Sequence, residues 1–335
     1  MAESTLLTAG ITGLGMSFPE GKLTNADLEK LVDTDDQWIV ERTGIKERRI
    51  AEKGIGASVH GADAAIKALA DAGLTPDDID LIIVPTVTPD MMFPSTACII
   101  QEKIGAKNAW GFDLSAACSG FVFGLEVART HVMAGTAKRV LVIGTEVMNS
   151  IVDYTDRNVC ILFGDGAGAV VVEAVDPVDG GIVDSICRID GIGGKHLHQK
   201  AGGSLNPASH ETVDARMHYI YQEGRDVYKY AVRGMANVAL EIVEKNGFEK
   251  TDVALMVPHQ ANIRIIEAAQ RRLGLTDEQV SITIDRYGNT TSASIPSALQ
   301  VAREEGRVKK GDLIVLVSFG AGFTWGANLL RWCID

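Results

Sequence analysis

Short stretches of this 335-residue chain recur at a nearly constant distance. Val84-Pro85, closing the apolar run LIIVP, matches Val257-Pro258, closing ALMVP, and Asp113 ahead of LSAACSG matches Asp285 ahead of RYGNTTS. Val127-Ala128 matches Val301-Ala302, and KRVLVIG from Lys138 matches GDLIVLVS from Gly311, so the four offsets are 173, 172, 174 and 173 residues. Each match is short. Their shared offset and order predict a duplicated architecture in which each half, residues 1–175 and 176–335, supplies a strand, a turn and a helix. The apolar runs LIIVPTV, VLVIGTEV, AVVVE, ALMVPHQ and LIVLVSFG alternate with longer helical patterns, which predicts an α/β protein with largely parallel, doubly covered sheets.

A pseudo-twofold axis between such halves sets equivalent strand ends side by side, where α/β sheets carry their sites. Cys118, Thr86, His259 and Asn289 then become neighbours. Thr86 in one half stands against His259 in the other, and Ala116 against Asn289, so bland residues face chemically capable ones.

Each of these residues also has a plain structural reading. Cys118 can be a buried small hydrophobe; its setting in AACSG at the start of an apolar helix also suits a nucleophile, because helix N-termini favour a thiolate. His259 follows a strand and precedes a helix, where it is either a satisfied structural histidine or a cleft residue. Asn289 suits a turn or cap, or a hydrogen-bond donor to developing negative charge. The glycines of FGDGAGAVVVE follow a G-x-G-x-G pattern with a strand-like run behind them, which reads as a turn rather than a dinucleotide site. SFGAGFTWGAN follows a strand and reads as a tight turn or as a loop whose N–H groups face the nucleophile. The Gly-rich, polar stretch 188–224 reads as a long loop forming a lid or tunnel wall. His196, His198, His210 and His218 lack an accompanying carboxylate or thiolate cluster in the sequence, so no metal is expected.

Composition narrows the partners. A net charge of −12 disfavours nucleic acid and anionic membranes, and no apolar run approaches the roughly 20 residues of a membrane helix. Five widely spaced cysteines and no leader-like amino terminus predict a reduced, cytoplasmic protein. Lys229 with Arg233, and Arg264 with Arg271, fall on helix faces that are either solvated or docking surfaces for an acidic partner.

AACSGF around Cys118, PHQAN around His259, GNTTSASIP around Asn289, FGDGAGA and SFGAGFTWGA together resemble the β-ketoacyl-acyl carrier protein synthase III family, essentially over the whole chain. The resemblance implies the thiolase fold, with duplicated halves in a five-layered αβαβα arrangement, and a homodimer. It implies an initiating condensing enzyme of type II fatty acid synthesis with no bound cofactor. Cys118 would take an acyl group from an acyl-CoA, with acetyl-CoA the expected donor, and the N–H groups of Cys118 and Ala321 would form the oxyanion hole. Malonyl-acyl carrier protein would follow, its thioester carbonyl held by His259 and Asn289. Trp38 and Arg157 resemble a pair enclosing the CoA adenine, Arg42 a phosphate contact, and Gly224 and Asn262 tunnel residues. Phe93 resembles a residue that bounds the partner subunit's acyl pocket, and Lys229, Arg264 and Arg271 fall where the carrier protein docks. Asn158 and Tyr228 depart from the family's common Gly and Phe. Rival readings are a related condensing or acyltransfer enzyme with another starter or acceptor, a papain-like Cys-His-Asn protease, and a non-enzymatic carrier-binding protein.

Overall fold

The protein is represented by a computed structural model that describes residues 8–334. Its first sheet orders the strands Thr8–Ser17, Gly166–Val175, Arg139–Glu146, Leu81–Pro85 and Trp110–Leu114. The second orders Gly181–Ile189, Thr324–Arg331, Leu313–Gly320 and Val253–Pro258, with Met256 bridged in parallel to Val280 where a fifth strand would lie. Read from corresponding edges, both run antiparallel, antiparallel, parallel, parallel. The sheets are therefore mixed rather than largely parallel. Strands covered on both faces lose the polar alternation that would separate the two kinds by sequence.

Five layers result. The helices Gly120–Met133 and Ser294–Glu304 lie between the sheets, where Phe121, Leu125, Ile295 and Leu299 pack on Ile83 and Val142 of one sheet and Val257 and Leu316 of the other. The alternate residues Ile82, Leu141 and Val171 face outward onto the helices Ala57–Asp71 and Thr96–Ile104. Met256, Val315 and Val317 likewise face Gly224–Lys245 and Ile263–Leu273. Every such position is buried on both sheet faces, and full burial of an aliphatic side chain contributes about 1.5–3 kcal/mol.

Both inner helices are entered through the same turn. Ala117 has φ 49° and Thr291 φ 45°, the left-handed region that L side chains avoid, and a short 3₁₀ turn follows each, Ala117–Ser119 and Thr291–Ala293. The observed backbone corrects the sequence pairing at three points. Cys118 corresponds to Ser292, and Ala116 to Thr290 rather than Asn289. Ile83 and Val257, which both face the inner helices, are likewise equivalent, so His259 corresponds to Pro85 rather than Thr86, and Asp113 lies in the strand Trp110–Leu114 whereas Asp285 lies in the short helix Ile284–Tyr287.

Candidate active site

One cavity of about 900 Å³ receives Cys118 and Ala321 from the first and second halves' turns, together with His259 and Asn289. Three hydrogen bonds between the halves clamp the strained cysteine turn: Thr324 Oγ1 donates to the Ala116 carbonyl (2.8 Å), Ser318 Oγ to the Cys118 carbonyl (2.8 Å), and Ser119 Oγ to the Thr324 carbonyl (3.1 Å). A Cβ on Gly320 would lie 2.7 Å from the Cys118 nitrogen, so only glycine admits this approach. The expected depression of the thiol pKa is not found. Burial, and then the Glu146 charge, push Cys118 up to about 12, while the N–H groups of Cys118 and Ala321 act in the opposite direction.

His259 directly follows the strand Val253–Pro258, its N–H donating to the Val317 carbonyl (2.8 Å). Its Nδ1 lies 2.7 Å from Ser294 Oγ, whereas Nε2 is buried without a protein partner. Burial lowers the imidazole pKa to about 3, so the ring is neutral at ordinary pH. Asn289 Oδ1 accepts from the Thr291 N–H (2.9 Å), which leaves its amide nitrogen as the remaining donor at the cavity. The histidine is thus oriented by Ser294 and not by Asn289, so the Cys-His-Asn relay of a papain-like protease is not assembled.

The outer part of the cavity is lined by Trp38, Arg42, Asn158, Gly224, Arg225, Tyr228, Asn262 and Arg264. Its charged lining residues are arginines, Arg42, Arg225 and Arg264, and no carboxylate lines it among the described residues. Arg42 and Arg157 both place their guanidinium carbons 4.5 Å from the Trp38 ring centroid, and Arg157 pairs with Asp33 at 3.7 Å. Arg157 thus covers a face of the Trp38 ring. Asn262 spends its polar atoms on capping: Oδ1 accepts from the Arg264 N–H (2.9 Å) and Nδ2 donates to the Arg42 carbonyl (2.7 Å). Asn158 closes a local turn on Asp156, and Tyr228 lies under Arg264, 5.2 Å from ring centroid to guanidinium. The 188–224 stretch forms a ribbon, Leu197–Gln199 with Ile220–Gln222, whose residues wall the cavity.

Other predicted positions lie apart from it. Phe93 is 84% exposed beside exposed Met91 and Met92 and does not line this chain's own cavity. Lys229 pairs with Asp226 (3.3 Å) and Arg271 with Glu267 (3.4 Å), both on exposed helix faces. Sequence reasoning missed Ser294, Arg225 and Glu146. Glu146 is fully buried beside the counterpart turn Thr291–Ala293, where it accepts from Thr88 Oγ1 (2.6 Å), the Val87 N–H (3.1 Å) and Ser292 Oγ (2.9 Å). Its pKa is raised, chiefly by burial. No helix among the described residues is long and apolar enough to cross a membrane.

A strained cysteine turn held between two duplicated halves, with a neutral histidine and an asparagine amide in the same cavity, suits a condensing enzyme of the thiolase fold. Family models described as 3-oxoacyl-[acyl-carrier-protein] synthase III and its C-terminal part match residues 112–191 and 243–332. The chain is 56% identical to the β-ketoacyl-[acyl-carrier-protein] synthase III of Solibacter usitatus, covering 97% of this chain and 98% of that protein. It is 52% identical to that of Koribacter versatilis over the same shares. The crystal structure of 3-oxoacyl-[acyl-carrier-protein] synthase III from Aquifex aeolicus superposes with a TM-score of 0.89 at 46% identity, covering 97% of this chain and 100% of that one. The chain belongs to the β-ketoacyl-acyl carrier protein synthase III family, the acyltransferases that carry out the initiating condensation of fatty acid synthesis.

Proposed function

We propose that Cys118 takes an acetyl group from acetyl-CoA and passes it to malonyl-acyl carrier protein, giving 3-ketoacyl-acyl carrier protein, CoA and CO2. The supporting observation is that Cys118, His259 Nε2 and the Asn289 amide converge on one cavity from both halves. In the first step the Cys118 sulfur attacks the thioester carbonyl, the N–H groups of Cys118 and Ala321 hold the oxyanion, and the thiol proton passes to the departing sulfur, so that CoA leaves as its thiol. In the second, the bond between the malonyl carboxylate carbon and its neighbour breaks, CO2 departs, and its electron pair becomes an enolate. His259 and Asn289 donate to that enolate oxygen. The carbanion then forms a carbon–carbon bond with the Cys118-bound acyl carbon and expels the Cys118 thiolate, which takes up a proton from solvent to restore the thiol. Because decarboxylation generates the carbanion without removing a C–H proton, a neutral histidine suffices and no strong base is needed.

The carboxylate-free rim with Arg42, Arg225 and Arg264 suits the phosphates of CoA in a chain of net charge −12. Trp38 and Arg157 enclose the adenine once Arg157 moves off the ring, Gly224 and Asn262 line the pantetheine arm, and Lys229, Arg264 and Arg271 meet the acidic carrier. The halves are 1–175 and 176–335. Two copies form a cytoplasmic homodimer, which accounts for Phe93: its exposed ring closes the partner's acyl pocket. Incubation with acetyl-CoA and then malonyl-acyl carrier protein, followed by mass spectrometry, tests the scheme. An acetyl adduct on Cys118 followed by 3-ketobutyryl-carrier is expected. An unmodified Cys118, or an adduct that malonyl-carrier does not discharge, sinks it.

A further inference from the structure

Ser294 lies beside the reacting residues without facing the substrate, and its hydroxyl has more neighbours than protons. Its Oγ is 2.7 Å from His259 Nδ1, 2.9 Å from the Thr291 carbonyl oxygen and 3.4 Å from the Gln260 nitrogen. The Gln260 N–H can only donate, and the carbonyl can only accept. The single hydroxyl proton therefore goes either to the carbonyl or to Nδ1, and the choice decides the ring.

With the hydroxyl turned to the carbonyl, Nδ1 must carry the ring proton and donate to Oγ. Nε2 is then a bare lone pair, which repels an enolate oxygen. With the hydroxyl turned to Nδ1, the neutral ring carries its proton on Nε2, the atom that is buried without a protein partner at the cavity wall. A ring protonated on both nitrogens is not an escape, since burial holds the imidazole neutral down to about pH 3.

We propose that Ser294 is the positioning residue that selects the tautomer of His259, donating to Nδ1 so that Nε2–H faces the thioester carbonyl of the second substrate. This rests on the reading of His259 as an enolate donor. The duplication supports it independently. The counterparts of His259 and Ser294 in the first half are Pro85 and Gly120, and a Cβ at Gly120 would lie 2.8 Å from Pro85 Cβ. Where there is no imidazole to orient, there is no room for the hydroxyl side chain.

The test reads ¹⁵N shifts of His259 in the histidine-labelled, substrate-free enzyme alongside separate rates of Cys118 loading and of condensation. The wild-type protein is expected in the Nε2–H form. Ser294→Ala removes the donor to Nδ1 and shifts the ring toward the Nδ1–H form, lowering condensation about tenfold or more while loading from acyl-CoA stays within about twofold, which also reports that the variant is folded. Ser294→Thr, which keeps a hydroxyl, is expected to restore both the tautomer and the condensation rate. An Nδ1–H ring in the wild-type enzyme, or an unchanged tautomer in Ser294→Ala, overturns the proposal. A changed tautomer with condensation intact leaves Ser294 in control of the ring and overturns instead the role of His259 on which the proposal rests.

Discussion

The turn Ala117–Ser119 opens on a substrate-sized cavity, while its counterpart Thr291–Ala293 presents Ser292 to a packed interior. The backbones match, with a left-handed residue, a 3₁₀ turn and an inner helix in each. The strand ends behind them do not. Gly320 backs Cys118, whereas Glu146 occupies the equivalent position and accepts a hydrogen bond from Ser292 Oγ at 2.9 Å. Below the turns, Ser318 Oγ donates to the Cys118 carbonyl, while Gly144 lets the Ser292 carbonyl come so close that a Cβ there would lie 2.4 Å from its oxygen. The duplicated scaffold thus carries the strained turn twice, with Cys118 beside the cavity and Ser292 packed against Glu146.

The largest break in that symmetry is expected from the two central residues themselves. Cys118→Ala should lose the acyl adduct and reduce condensation by about 10³-fold or more. Ser292→Ala should keep the adduct and lower stability by about 1–3 kcal/mol, since Glu146 loses a buried donor. Intact mass after acyl-CoA exposure, together with denaturant midpoints, separates the two outcomes, and an adduct surviving in Cys118→Ala contradicts the assignment.

A smaller effect follows one step back, at the glycines. Gly320→Ala forces a methyl against the Cys118 nitrogen and should slow loading by about 10²-fold, the scale of an ångström's displacement of a reacting atom. Gly144→Ala meets the Ser292 carbonyl instead, so the expected loss is about 1–3 kcal/mol of stability, without a matching fall in the loading rate of the folded fraction. Equal loading defects in both variants would erase the distinction between the turns.

Glu146 supplies a pH test. Its charge is the second cause, after burial, of the raised Cys118 pKa, so Glu146→Gln should move the thiol alkylation profile to lower pH. Burial, the larger cause, remains, and the profile should stay above that of an exposed thiol. The raised carboxyl pKa also has a stability consequence. The folded protein retains a proton that the unfolded chain has released above the ordinary value of 4.5, so this contribution is full below 4.5 and is lost as pH rises through the folded value. Glu146→Gln should flatten that fall; an identical slope would mean that Glu146 is not its source.

The duplication, the cavity residues Cys118, His259 and Asn289, and the fold class were legible because they rest on motifs and apolar runs. Strand direction was not, since Leu81–Pro85 and Gly166–Val175 are both nearly continuous apolar strands although their pairings differ. Letter matching also slipped in register. It paired Ala116 with Asn289 and Asp113 with Asp285, whereas equivalence follows the left-handed residues Ala117 and Thr291, which share no letter. The helix start at Cys118 suggested a lowered pKa, but burial outweighs the N–H groups of Cys118 and Ala321. Ser294 looked like any small residue in TSASIP, and Glu146 like the polar end of an apolar strand, because the partner that defines each comes from a distant segment.

The smallest expected effect probes the feature both turns share. An L residue at a left-handed φ costs about 1–2 kcal/mol, and glycine relieves this while losing about 0.5–1 kcal/mol to its freer unfolded chain. Ala117→Gly and Thr291→Gly should therefore each change stability by about 1 kcal/mol or less. Their kinetic consequences should differ. At residue 117 the added freedom loosens the sulfur's neighbour, so loading should fall about two- to fivefold even where the denaturant midpoint rises, because the turn then relies on the Thr324, Ser318 and Ser119 bonds alone to hold its shape. At residue 291 the same freedom acts beside Asn289, whose Oδ1 is held by the Thr291 N–H, so condensation should slow while loading does not. Loading and condensation affected alike by either variant would show that the strain serves the fold and not the placement of the reacting groups.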